Sequence, residues 1–270
     1  MSKDKEKRFA FGKNWKSFIA ETYDENTYQH AEKSMVDFLG DQALKGKSFL
    51  DVGCGSGLHS LVAARRGATK IIGIDYDQDS VECTQALAKA EADSVSWKVM
   101  QGSVLDRSFM HSLGTFDIVY CWGVAHHTGD MWKALDNLAL NVKSGGLLFI
   151  AIYNTVDGRL GSRYWHRIKK MYVAMPRPIQ VLMEWFYLSI HILRILTAGK
   201  NPWRVMKAYR KKRGMSYRHD LNDWLGGFPY EHAKVEELFS FYQNRGFDLV
   251  KLKTTNSIGN NQLLLRKSKT

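Results

Sequence analysis

Cysteine, proline and acidic residues are all scarce in this sequence of 270 residues. Its three cysteines, Cys54, Cys83 and Cys121, are scattered without metal-ligand spacing. Their odd number, with no secretory signal in view, fits a reducing cytoplasm. The opening Met-Ser-Lys-Asp-Lys-Glu-Lys-Arg has no apolar core of the kind an export signal needs. Of only four prolines, Pro176 and Pro178 fall almost together and mark a break in the chain. Acidic residues number 27 against 39 lysines and arginines, a net charge of +12. That excess attracts anions: nucleic acid, an anionic membrane surface or a phosphorylated substrate. There is no internal repeat or low-complexity tract. With 44% hydrophobic and 24% charged residues, the chain is ordinary for a soluble globular protein and long enough to bury its own core.

From residue 48 short apolar runs alternate with helical patterns, the rhythm of a parallel α/β sheet. Strands are predicted near 48–52, 70–75, 95–100, 115–121 and 146–152. Helices are predicted near 57–66, 79–92 and 130–142, with Asp79 and Asp130 placed to cap two of them. Residues 155–228 break the rhythm as a basic and aromatic stretch. A helix over Glu231–Arg245, stopped by Gly246, and two antiparallel strands, Phe247–Lys253 and Asn261–Arg266, follow. The expected organisation is an N-terminal helical extension (1–47), a nucleotide-binding core (48–154), an inserted cap (155–228) and a C-terminal helix with two strands completing the sheet (229–270).

The chemistry concentrates at Asp51-Val52-Gly53-Cys54-Gly55-Ser56-Gly57. Glycine at alternate positions after a buried strand lets the backbone turn sharply and approach a ligand where a Cβ would collide. In open α/β sheets this crevice, at the carboxyl ends of the strands, is the binding place. Leu58 stands where a dinucleotide fingerprint needs its third glycine, and no Gly-Lys-Ser/Thr follows, so neither of those nucleotide loops is present. The second strand ends in Asp75, placed to accept hydrogen bonds from ribose hydroxyls. Tyr76 beside it offers a ring for an adenine to stack on, and Gln101-Gly102-Ser103-Val104 makes a turn suited to the adenine edge.

On these residues, 48–150 resemble the class I S-adenosylmethionine-dependent methyltransferases. The resemblance implies a Rossmann-like fold with a seven-stranded, mostly parallel sheet, and S-adenosylmethionine as cofactor. It places Asp51, Gly53 and Gly55 around the methionine moiety, Asp75 on the ribose, Ser103 and Val104 at the adenine, and Gly57, Tyr76 and Trp122 in the same cofactor set. No metal is implied.

Strand four leaves into Trp122-Gly123-Val124-Ala125-His126-His127-Thr128, similar to the Val-Leu-His-His stretch of ubiquinone-type and other small-molecule methyltransferases, with Ala125 in place of leucine. Methylating a hydroxyl releases a proton, which an imidazole can take. His126 and His127 are therefore the catalytic candidates, His127 slightly preferred; a histidine packed inward to hold the loop is the competing reading. No Asp/Asn-Pro-Pro-Tyr occurs at this exit and no cysteine has a Pro-Cys context, which argues against amino methylation of bases and against covalent pyrimidine chemistry. Oxygen methylation is the preferred reaction, with carbon methylation of an activated ring or sugar still open.

Trp15 and Tyr23 are candidates for a lid over the cofactor. Tyr153, Arg218, His219 and Asp223 are candidates for contact with the acceptor. The stretch Asp223-Trp224-Leu225-Gly226-Gly227-Phe228-Pro229-Tyr230-Glu231, with Phe11-Gly12-Lys13-Asn14-Trp15 near the start, resembles a bacterial branch of class I methyltransferases. Ile179–Leu196 is apolar but striped with Gln180, Glu184, His191 and Arg194, and a basic run to Arg213 follows. It reads as a buried or lid helix, a homodimer face, or a peripheral membrane contact spanning 179–213. The acceptor is expected to be a small or lipid-linked metabolite. RNA, bound through the basic insertion, and a non-catalytic binding protein of the same fold are the alternatives. The expected location is the cytoplasm, with contact at a membrane periphery.

Overall fold

The computed structural model describes residues 25–90, 95–213 and 217–269, with the side chains of 208 and 210–220 left aside. Seven strands form one sheet in the order β3-β2-β1-β4-β5-β7-β6. Strands β1 (Ser48–Val52), β2 (Lys70–Asp75), β3 (Ser96–Gln101), β4 (Phe116–Trp122) and β5 (Val142–Tyr153) pair in parallel. β7 (Asn260–Lys267) lies antiparallel between β5 and β6 (Phe247–Lys253). The chain steps outward from β1 to β3, then returns to lay β4 on the other side of β1. That reversal opens a crevice beyond the carboxyl ends of β1 and β4.

Successive strand residues face opposite layers, as the two-residue period of a strand requires. Leu50, Val52, Val119 and Cys121 pack toward α5 (Met131–Leu140) and α10 (Val235–Gln243). Phe49, Ile118 and Tyr120 pack toward α1 (Glu25–Leu39) and α2 (Leu58–Arg65). α3 (Gln78–Ala90) and the short α4 (Arg107–Ser112) complete the layers. Between β5 and α10 the chain adds α6 (Ser162–Ala174), α7 (Arg177–Thr197), α8 (Pro202–Arg213) and α9 (Tyr217–Gly226). Tyr172, Leu221 and Leu225 form a small separate core there, with Trp165, Tyr187 and Trp224 packed around it.

Three local expectations need correction. Asp79 lies inside the first turn of α3, and its backbone N–H is accepted by Asp77 Oδ1 at 2.9 Å, so Asp77 does the capping. Asp130 does cap α5, accepting from Lys133 N at 3.3 Å. The helix expected from Glu231 begins only at Val235. Residues before it are held extended along the end of β5, where Ala233 N donates to Tyr153 O at 3.0 Å, and this outside pairing overrides helical propensity. The fifth strand also starts four residues earlier than its apolar run, at Val142, because Val142 already pairs with Phe116.

Candidate functional site

The glycine loop is tied down residue by residue. Gly53 N and Cys54 N both donate to Ile74 O, at 2.8 and 3.0 Å. Gly55 N donates to Asp75 Oδ2 at 3.0 Å, and Gly57 N to Cys54 O at 2.8 Å. Gly53, Gly55 and Gly57 all have positive φ, 75°, 54° and 80°, the left-handed conformation that favours glycine. A Cβ on Gly53 would stand 2.3 and 2.7 Å from the two methyls of Val124. The loop after β1 is thus closed against the loop after β4.

One open cleft of about 2180 Å³ runs along these strand ends. It exceeds the roughly 300–1,000 Å³ of an ordinary ligand pocket, enough for a nucleoside cofactor and an acceptor together. Gly53, Gly55, Asp75, Tyr76, Ser103, Val104 and Trp122 all line it. Tyr76 and Trp122 are exposed rings at its edge. Burial raises the Asp75 carboxyl above its ordinary range, and the N–H groups of Asp77 and Gly55 oppose that shift. Asp75 therefore does a second task that the sequence did not announce: it shapes the glycine loop while presenting acceptor oxygens to the cleft.

Two expected cofactor residues are not among the lining. Asp51 is buried behind the loop, where Ser60 Oγ donates to its Oδ2 at 2.6 Å. Desolvation pushes its pKa up to about 7, Ser60 opposing and Asp75 adding to the shift. Gly57 backs onto Thr84, 3.0 Å from where a Cβ would sit. Both hold the loop from behind, while Cys54 and Ser56 join the lining. The cradle of positive-φ glycines, the carboxylate and the exposed rings fit an adenosyl nucleoside.

His126 and His127 lie in a 3-10 turn, Ala125–His127, and both line the cleft. His126 is fully buried, and its Nδ1 accepts the Tyr153 N–H at 3.3 Å. His127 Nδ1 sits 2.7 Å from Pro229 O. A carbonyl only accepts, so Nδ1 carries the proton and Nε2 is the accepting nitrogen. Desolvation lowers the His127 pKa to about 3; the Pro229 carbonyl resists and the Lys169 charge assists. His126 is held well below its ordinary value, first by burial and then by the His127 and Lys169 charges.

Tyr153 lies against His126 with ring centroids 3.9 Å apart and meets Trp224 edge-on at 5.9 Å. Trp165, Trp224 and Phe228 continue this aromatic wall, with Asp223 and Leu221 in the lining. The Trp224 Nε1–H is buried with no hydrogen-bond partner among the described residues. Arg218 and His219 lie on α9, outside the described side chains, and Trp15 and Tyr23 lie outside the described residues altogether.

Sequence reasoning missed Lys169. It is fully buried, donates to the Trp224 carbonyl, and has its Nζ 3.9 Å from the Trp224 ring and 5.0 Å from that of Tyr230. Burial lowers its pKa to about 7, with the Asp223 charge opposing. Nothing in sequence separated it from the other cations of a basic insertion. Glu231 was missed in a different way. Its carboxylate accepts from Gly129 N at 2.9 Å and Met131 N at 3.0 Å, and its own N–H donates to His126 O at 2.9 Å. It fastens the exit of the insertion to the histidine turn.

A methyltransferase-domain family model matches residues 23–252. Curated relatives include ubiquinone biosynthesis O-methyltransferases of Coxiella burnetii and Rhizobium johnstonii. The first is 31% identical over 111 residues, 41% of this chain and 45% of the relative. The second is 34% identical over 127 residues, 46% of this chain and 49% of the relative. The matched stretch thus spans about half the length of these relatives. Among solved structures, magnesium protoporphyrin IX methyltransferase from Synechocystis, crystallised with bound SAH, superposes with a TM-score of 0.55 at 15% identity, covering 95% of this chain and 94% of that one. An O-methyltransferase family protein from Burkholderia thailandensis gives 0.53 at 14% identity, covering 88% and 56%. S-adenosylmethionine is the cofactor of this family. With its glycine loop, strand order and family match in agreement, the chain belongs to the methyltransferase-domain family of class I S-adenosylmethionine-dependent enzymes.

Proposed function

We propose that the protein transfers a methyl group from S-adenosylmethionine to a hydroxyl on a small or lipid-linked metabolite. The observation that carries this reading is His127, whose accepting Nε2 is fixed by the Nδ1–H bond to Pro229 O in the cleft that the glycine loop also lines. The cofactor, when bound, supplies an electrophilic methyl. Gly53, Gly55, Asp75, Ser103 and Val104 would hold its ends, with Tyr76 and Trp122 flanking the nucleoside. The relatives named O-methyltransferases support oxygen as the acceptor atom.

The chain's own residues then have two tasks. The aromatic wall of Tyr153, Trp165, Trp224 and Phe228 takes a flat or apolar acceptor and excludes water. His127, kept neutral by burial, accepts the hydroxyl proton. A histidine with so low a pKa is a weak base. It still suffices here, because an oxygen that has begun to share its electrons with a methyl carbon becomes a far stronger acid than an imidazolium. Positioning supplies the remainder of the barrier reduction.

Radiolabelled methyl transfer to a panel of phenols, quinols and their prenylated forms, with the product bond located by mass spectrometry, tests the reading. Methylated oxygen is expected, with turnover in His127→Ala reduced about 10²-fold or more and cofactor affinity retained. Undiminished turnover in that variant would remove His127 from the chemistry, and methylated nitrogen or carbon would overturn the acceptor class.

A further inference from the structure

Helix α7 is turned inside out relative to a helix on a water-facing surface. It has 21 residues and a mean hydropathy of 1.4 over its most apolar window, yet only 6% of that window is buried. Ile179, Leu182, Phe186, Leu193 and Leu196 recur at helical spacing along its outward face and are 42%, 67%, 70%, 61% and 53% exposed. Trp185 beside them is 63% exposed. The polar Gln180 and Glu184 face the protein instead. Glu184 accepts from Tyr172 Oη at 2.7 Å and from Arg177 Nη1 at 2.6 Å. Gln180 Nε2 donates to the carbonyls of Tyr172 and Met175, both at 3.1 Å. A surface helix ordinarily shows the reverse arrangement.

The inward anchoring argues against a span, since a helix fixed to α6 through a buried Glu184 cannot be surrounded by lipid. The flanking charge argues for the bilayer surface. Lys200, Arg204 and Lys207 follow at once and are exposed, and Trp203 among them is 83% exposed. A cationic end, tryptophans and a wide apolar stripe are complementary to anionic headgroups over an acyl boundary. The sequence of α7 and α8 holds no acidic residue besides the buried Glu184, so a second copy would set its own basic residues against these. The opposite side of α7 contributes Tyr187, His191 and Arg194 to the cleft lining, so one helix joins the exposed stripe to the reaction cleft.

We propose that α7 and the start of α8 dock the enzyme on an anionic membrane surface, from which an amphiphilic acceptor enters the cleft beside α7. The entry of the acceptor rests on the hydroxyl-methyltransferase reading above; the docking does not.

The test is sedimentation of the full chain with vesicles of phosphatidylcholine alone or of phosphatidylcholine mixed with phosphatidylglycerol. Binding to the mixed vesicles is expected, falling as salt is raised and weakened about a hundredfold by Leu182→Ser with Phe186→Ser. Lys200→Gln with Lys207→Gln should weaken binding and flatten its salt dependence. Circular dichroism and S-adenosylhomocysteine affinity, unchanged in these variants, verify their folding. Equal binding to neutral vesicles, binding unmoved by the serine variants, or no binding by a chain whose dimer the serine variants dissociate would overturn the docking. Methyl transfer to a water-soluble phenol is expected to survive the serine variants. Docking without transfer to any hydroxyl would therefore refute the functional reading alone, and transfer without docking would refute this inference alone.

Discussion

Replacing Glu231 tests whether the histidine turn is held from outside its own segment. The carboxylate accepts two backbone N–H groups, Gly129 at 2.9 Å and Met131 at 3.0 Å, at the start of α5. Burial raises its pKa, while those same N–H groups lower it. Hydrogen bonds to a charged acceptor contribute about 1.5–3 kcal/mol each when buried. Glu231 is only half-buried, so a discounted sum of about 2–4 kcal/mol is appropriate for Glu231→Ala. For a chain of 270 residues that loss lowers Tm by roughly 4–7 °C. Glu231→Gln keeps one accepting oxygen and places an NH₂ where the other stood, so about half the loss or more is expected. The assay is urea and thermal unfolding at neutral pH, with S-adenosylhomocysteine binding measured in parallel and expected to change little, because Glu231 does not line the cleft. An Ala variant as stable as the wild type, or a Gln variant less stable than Ala, would refute the reasoning.

Further outcomes follow from the same contacts. Gly53→Ala forces a side chain into a φ of 75° and into the Val124 methyls; S-adenosylhomocysteine affinity should fall about tenfold or more, with partial recovery on adding Val124→Ala, and wild-type affinity in the single variant would contradict the close approach of the two loops. His127, lowered to about 3 by burial, binds fewer protons folded than unfolded between its folded value and about 6.5. Its contribution is therefore present above about pH 6.5 and is lost as pH falls toward 3, costing up to about 2 kcal/mol between pH 7 and 5. The dependence of urea stability on pH should flatten by that amount in His127→Phe, and an unaltered slope would show that the imidazole is not desolvated.

The parts that were legible in the sequence were those with local causes. The glycine loop, Asp75 at the end of β2 and the paired terminal strands each carry their signal within a few residues, and each lies where it was expected. Asp51 neighbours the loop in sequence, but that its carboxylate is bound by Ser60 behind the loop is shown only by the packing. The orientation of His127 depends on Pro229, separated from it by 102 residues. No pattern within the histidine turn encodes that bond. Lys169 and Glu231 became visible only when the insertion was folded onto the core. The apolar run in 179–196 was plain from composition. That Glu184 faces inward depends on Tyr172 and Arg177, and only the packing shows it.

Calorimetric titration of the cofactor into the full chain tests most directly whether the cleft holds S-adenosylmethionine at the ends of β1 and β2. One saturable site is expected, weakened about tenfold or more by Asp75→Ala through loss of charge-assisted bonds to the ribose and of the Gly55 tether, and unchanged in His127→Ala. Absence of binding to the wild-type chain, or wild-type affinity in Asp75→Ala, would contradict it.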